Sequence, residues 1–231
     1  MDLKTPDGNC DIYVTGKKTD PGVILLMDIF GPRPWLNSMA DKIASQGYQV
    51  MVPNLFYRRK RAPFCQEADS VDERRKVCME LYSAFSPDTF VERDLQALVE
   101  FFSGPIGLVG YCMGGGLAIR AAAAFPERVV AAASFHSGRL QTDAPNSPHR
   151  FVDSIRAELY LGHAWNDATI PSEQIAALEN TLRDAGVKFK SEMYKAAHGW
   201  TQKDLPPWNE EATEKHWQAL FALFGRTLAS R

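Results

Sequence analysis

The chain has 231 residues, 45% of them hydrophobic, and its charges nearly cancel at −2. That is enough apolar material for one sizeable globular domain over residues 1–231. The balance excludes the strongly basic profile of a nucleic-acid binder, and the apolar run "VILLM" from Val23 falls far short of the ~20 residues a membrane span needs.

In chain order, apolar periodicity predicts strands over Cys10–Val14 and Val23–Met27, a helix over Leu36–Gln46 and a strand over Gln49–Val52. Helices follow over Val71–Ala84 and Thr89–Phe102, then a strand over Ile106–Val109, a helix over Met113–Phe125 and a strand over Val129–Phe135. The last part reads as strand Glu158–Leu161, helix Ser172–Ala185, strand Lys188–Tyr194 and helix Glu211–Leu228. Gly47 and Gly186 sit where helices end in a left-handed turn, and Ser172 is placed to cap the helix after Pro171. This alternation predicts an α/β fold with a mainly parallel sheet covered by helices on both faces.

Segments 53–70 and 138–154 are the least regular and are expected to be loops over a site. The basic run Arg58-Arg59-Lys60-Arg61 reads as a solvated loop, or as a rim that attracts anionic substrates. The N-terminus lacks a charged-then-apolar leader pattern. Cys10, Cys65, Cys78 and Cys112 lack metal-ligand spacing, so reduced thiols in a cytoplasmic protein are expected, without metal or cofactor.

The stretch "IGLVGYCMGGGLAIRAAAAF" carries the chemistry. Cys112 follows a strand and opens a helix. Gly110 and Gly114, two positions either side, relieve the crowding of such a turn. This is the G-x-S-x-G nucleophile elbow with cysteine in place of serine. The turn exposes the sulfur above the sheet, at a helix N-terminus whose dipole favours a thiolate. The Met113 N–H would face an oxyanion forming on a carbonyl. A dinucleotide cradle is disfavoured, because no G-x-G-x-x-G is present and position 119 is Ile.

An elbow of this kind is followed in the chain by an acid and then a histidine. "GHAWNDATIP" supplies Asp167 after one strand, and "KAAHGW" supplies His198 after another. Carboxyl ends of parallel strands share one edge of the sheet, where ligands bind. His198 would take the thiol proton, with Asp167 orienting the imidazole. His136 and His163 compete as pocket lining, while His149 and His216 read as loop and helix-surface residues. Asp28 ends a strand on the same edge, and the Ile29 N–H is a candidate second oxyanion donor.

With these residues in place, the chain resembles the dienelactone hydrolases (carboxymethylenebutenolidases) nearly end to end. The resemblance rests on "DIFGPRPWL", "DKIASQGYQVMVPNLFYR", "GLVGYCMGGGLA", "WNDATIP" and "AAHGW". It implies an α/β-hydrolase fold, a Cys112–His198–Asp167 triad and opening of an enol-lactone through a thioester. The family usually has glutamate at Asp28, where it interacts with the resting thiol. Family members also hold a substrate carboxylate with arginines. Here Gln202 and Lys203 follow the histidine, and Arg75 or Lys76 occupies the other region. Trp200 is a further candidate pocket residue. The expected partner is a small lactone or ester, bound by a monomer or small homo-oligomer. Two alternatives stay open: a general esterase or thioesterase on the same scaffold, and a redox sensor built on Cys112.

Overall fold

The computed structural model describes residues 1–65 and 69–228. Its sheet is built from β1 (Asp2–Thr5), β2 (Gly8–Thr15), β3 (Gly22–Leu26), β4 (Gln49–Pro53), β5 (Ile106–Tyr111), β6 (Val129–Phe135), β7 (Glu158–Ala164) and β8 (Phe189–Tyr194). The order is β1-β2-β4-β3-β5-β6-β7-β8. β2 runs antiparallel to both β1 and β4, and the strands from β4 to β8 are parallel. β3, β4 and β5 are buried along their whole length, as expected for strands covered on both faces.

The helices are α1 (Pro34–Ala44), α2 (Val71–Ser83), α3 (Pro87–Thr89), α4 (Leu95–Glu100), α5 (Met113–Ala124), α6 (Ser172–Asp184) and α7 (Glu210–Thr227). A Cβ on Gly107 would strike Phe224 and Leu228 at the end of α7, whereas one on Gly110 would strike Gly114 of α5. Strand residues three apart point to opposite faces, so α5 and α7 cover opposite sides of the sheet. α1 joins α7, with Lys42 Nζ 4.8 Å from the Trp217 ring.

Each of the seven expected strands is present, together with one the pattern did not reveal. β1 is four largely polar residues, "DLKT", and it pairs with β2 in the register Asp2↔Asp11. The single helix expected over Thr89–Phe102 is α3, a π-helical turn over Phe90–Asp94, and α4. That turn carries buried Asp94, which accepts from Tyr57 Oη at 2.8 Å and from Arg58 Nη1 and Nη2 at 2.8 and 2.6 Å. Arg58 also pairs with Asp7, and Arg61 with Asp2. All four residues of the basic run are exposed, as expected of a solvated loop, and within it Arg58 and Arg61 fasten the β1–β2 hairpin.

Gly47 and Gly186 take φ of +89° and +69°, the left-handed ends expected of them. Ser172 does not cap its helix: Pro171 holds that position, and Ser172 is the first helical residue. Segment 138–154 contains a 3₁₀ helix, Pro148–Ser154. His216 is not on a surface. It is fully buried under the sheet, with Nε2 2.8 Å from Tyr111 Oη and its ring against Phe135. Among the described residues, no helix is long and apolar enough to cross a membrane.

Candidate active site

Cys112 sits between β5 and α5 with φ +53° and ψ −114°, a strained conformation for a residue with a side chain. Neighbouring backbone makes the turn possible only for glycine. A Cβ on Gly110 would lie 2.0 Å from Gly114 O, and one on Gly114 would lie 2.3 Å from Leu26 O. The Cys112 N–H donates to Phe135 O at 3.0 Å, tying the elbow to β6.

His198 and Asp167 arrive from the loops after β8 and β7. His198 Nε2 lies 3.1 Å from Cys112 Sγ, and its Nδ1 lies 2.6 Å from Asp167 Oδ2. The other carboxylate oxygen, Oδ1, accepts the Thr169 N–H at 2.9 Å and the Thr169 hydroxyl at 2.5 Å. Burial pushes the Asp167 pKa up, but bonds from His198 and Thr169 outweigh it and hold the carboxyl below its usual range. Burial lowers the His198 pKa, whereas Asp167 and Cys112 raise it, for a net value of about 10. The arrangement favours an imidazolium lying between a carboxylate and a sulfur.

Neither His136 nor His163 bonds the sulfur: His136 lines the same cavity as Cys112, as expected of a pocket residue, whereas His163 does not. His136 bonds Thr201 Oγ1 through Nε2 at 2.8 Å and packs edge-on against His198. Its φ is +40°, and burial, followed by the charge of His198, drives its pKa well below the ordinary imidazole value. His163 is buried, with its pKa lowered to about 4 by that burial.

A cavity of about 220 Å³ opens over this group. Cys112, His198, Asp28, Ile29, Gln202 and Arg75 line it, with an apolar wall of Phe30, Val71, Met79, Leu205, Pro206 and Pro207. Met113 is the first residue of α5, so its N–H has no intrahelical acceptor. The Ile29 N–H takes no acceptor among the described residues.

The remaining sequence candidates divide. Arg75 lies exposed at the cavity mouth and Gln202 is buried in its wall, whereas Lys76 and Lys203 fall outside that wall. Lys203 Nζ is instead 5.3 Å from the Trp208 ring. Trp200 is fully buried beneath the site, stacked on Tyr194 and against His136. Asp28 lines the cavity, but both its oxygens bond the Arg33 guanidinium at 2.9 Å rather than the sulfur. Arg33, a central residue of the surroundings, was not marked by sequence reasoning. Its "GPRPW" context was visible, but its partners Gln202 and Asp204 lie about 170 positions away. Among the described residues, no group of three or more His, Cys, Asp or Glu side chains is arranged to hold a metal ion.

The sequence profile of the dienelactone hydrolase family matches residues 10–228. A carboxymethylenebutenolidase of Rhodococcus opacus is 28% identical over 216 residues, covering 89% of this chain and 81% of that protein. Among solved structures, a Klebsiella pneumoniae protein provisionally assigned as a dienelactone hydrolase superposes with a TM-score of 0.83 at 21% identity, over 98% of each chain. A dienelactone hydrolase-like promiscuous phosphotriesterase from metagenomic libraries superposes with a TM-score of 0.75 at 17% identity, over 99% of this chain and 98% of that one.

Proposed function

The chain belongs to the dienelactone hydrolase family, and we propose that it cleaves a small lactone or ester with Cys112 as nucleophile, His198 as acid–base and Asp167 as the group that orients and charges the imidazole. It is a hydrolase of the dienelactone hydrolase type acting on ester or lactone bonds. The observation that carries the residue assignment is the unbroken relay from Asp167 Oδ2 to His198 Nδ1 at 2.6 Å and from His198 Nε2 to Cys112 Sγ at 3.1 Å.

In this reading the sulfur, its proton held by His198, attacks the carbonyl carbon. The carbonyl electrons move to oxygen, which faces the N–H groups of Met113 and Ile29. Collapse breaks the carbon–oxygen bond, and the leaving oxygen takes the proton from His198. A lactone thus opens without losing its leaving group. Water then gives a proton to His198 and attacks the thioester, releasing a carboxylic acid and restoring the sulfur with its proton held by the His198 imidazolium. The net reaction is ester plus water to acid plus alcohol. A free thiol is only a few per cent ionised at neutral pH, so an imidazolium 3.1 Å from the sulfur is the main local activation.

Cavity size suits a small acyl group, and Arg75 at the mouth is suited to a substrate carboxylate. A second reading, a general esterase or thioesterase, draws support from Gln202, which stands where the family resemblance calls for a guanidinium and whose Oε1 is already taken by Arg33. The deciding assay follows loss of dienelactone ultraviolet absorbance for wild type and Cys112→Ala. Fast turnover that vanishes in the variant supports both nucleophile and substrate class. No turnover by folded wild type, with turnover of neutral aryl esters or thioesters, selects the second reading.

A further inference from the structure

Arg33 lies just before α1 and is only 8% exposed, yet its guanidinium reaches two different loops. Toward the β3–α1 loop, Nη1 and Nη2 donate to Asp28 Oδ1 and Oδ2 at 2.9 Å, and Nη1 donates to Gly31 O at 3.1 Å. Toward the loop after His198, Nη2 donates to Gln202 Oε1 at 2.8 Å, and Nε to Asp204 Oδ2 at 2.7 Å. Asp28 Oδ1 also accepts the Phe30 N–H at 2.8 Å. Ile29 is therefore held on both sides by groups that Arg33 touches directly or through Asp28.

The two regions also meet where Trp35 Nε1 donates to Thr201 O at 3.1 Å and Arg74 Nη2 of α2 donates to Asp204 O at 3.2 Å, but it is Arg33 that grips Asp28 beside Ile29 while bonding the side chains of Gln202 and Asp204. The two loops follow β3 and β8, and β5, β6 and β7 stand between those strands in the sheet. No strand ladder joins them, so small differences in sheet twist would accumulate between the loops. Burying a guanidinium with two carboxylates is a weak route to stability, but a planar fork can fix two loops at once in a way a lysine cannot.

We propose that Arg33 is a positioning residue that holds the Ile29 loop and the His198 loop in one register, and that Asp28 serves this clamp instead of acting on the thiol. The proposal rests on the Cys112 hydrolase reading. An oxyanion donor must sit about 2.7–3.1 Å from the developing charge, and a 1 Å misplacement costs on the order of 10²-fold in rate.

The test compares two reactions of the same sulfur. Hydrolysis of p-nitrophenyl acetate needs both loops. Alkylation of Cys112 by iodoacetamide forms a carbon–sulfur bond and expels iodide without generating an oxyanion, so it reports only on Cys112 and His198. The variant is Arg33→Met with Asp28→Asn, which avoids leaving a buried carboxylate unpaired. The expected result is a kcat roughly 10- to 100-fold lower, with KM and the alkylation rate of the Cys112 peptide changed less than about threefold. Arg33→Lys should fall between the two. A folded variant with kcat within about threefold of wild type overturns the proposal, because the clamp then serves stability alone. An equal fall in alkylation and hydrolysis also overturns it, because the damage then lies at Cys112 and His198 themselves. If the Arg33 variants do not fold, Asp204→Asn loosens the clamp from the histidine side. It should lower kcat at least about threefold without slowing alkylation, and an unchanged kcat overturns the proposal. Hydrolysis by Cys112→Ala, or none by wild type, removes the underlying reading, and the proposal with it.

Discussion

His136 and His198 pack edge-to-face with ring centroids 5.2 Å apart, and their surroundings drive them to opposite charge states. His136 is fully enclosed, and burial together with the charge on its neighbour keeps it neutral. His198 is also partly buried, but Asp167 and Cys112 outweigh that burial and raise its pKa to about 10. A neutral ring beside a charged one avoids like-charge repulsion within the cavity wall.

The first prediction concerns that contrast. Ring resonances of His198 should titrate near pH 10, and those of His136 should titrate only well below the ordinary imidazole range. In Asp167→Asn the His198 midpoint should move down toward the ordinary imidazole range, with a kcat loss on the order of 10³–10⁴-fold. The sign for stability follows from the raised pKa: the folded state holds the proton more tightly than the unfolded chain. His198 therefore contributes stability in full below pH ~6.5 and loses it as the pH rises through about 10. A His198 midpoint unchanged in Asp167→Asn would remove the carboxylate as its cause.

Much of this site was legible because its signals are local. The strand, the glycines and the cysteine of the elbow lie within a few residues of each other, and crowding at Gly110 and Gly114 is a property of that turn alone. Asp167 and His198 were legible because each follows a strand of one parallel sheet. Arg33 was not, because the sequence does not say which distant loop a guanidinium meets. His216 was misread because a histidine on an amphipathic helix looks like a surface residue until its Tyr111 partner, 105 positions away, is known. The π-helical turn at Phe90–Asp94 departs from helical spacing by one residue, too little to disturb an apolar pattern.

Thr169 is the second prediction. Its hydroxyl and its N–H both bond Asp167 Oδ1, so the carboxylate is held from the side opposite His198. Thr169→Val keeps the shape and the backbone bond but removes the hydroxyl donor. Expected is a kcat about 3- to 30-fold lower with little change in KM, since one hydrogen bond to a charged group contributes roughly 1.5–3 kcal/mol, only part of it felt at the imidazole. A rise in KM at constant kcat would point to a substrate contact instead.

The third prediction uses the buried pair of His216 and Tyr111. Burial lowers the His216 pKa to about 3, while the unfolded chain would take a proton near pH 6.5. Here the folded value is depressed, so the contribution is present above pH ~6.5 and is lost as the pH falls toward about 3. The loss is on the order of a few kcal/mol. Urea unfolding at pH 7 and pH 4 should show a larger drop for wild type than for His216→Gln. Parallel drops would mean that His216 does not titrate on unfolding in this range.

Glycine substitutions give the fourth prediction, in which two alanines of equal size should behave very differently. Gly47 has φ +89° with open space where a Cβ would go, so Gly47→Ala meets only backbone strain. Its cost should be about 1–2 kcal/mol, the penalty for a side chain in the left-handed region. Gly114 would place a Cβ 2.3 Å from Leu26 O and 2.7 Å from Met27 O, backbone atoms at the end of β3 that cannot rotate away. To admit the methyl, α5 must move off the sheet and carry Cys112 away from His198. Gly114→Ala should therefore lose at least about 3 kcal/mol, through overpacking of a close-packed contact, and the folded fraction should lose most of its alkylation at Cys112. Gly47→Ala should keep wild-type alkylation. If urea titration and alkylation found Gly114→Ala as stable and as reactive as Gly47→Ala, the elbow would not need glycine there, and the close approach of α5 to β3 would not be what holds the sulfur in place.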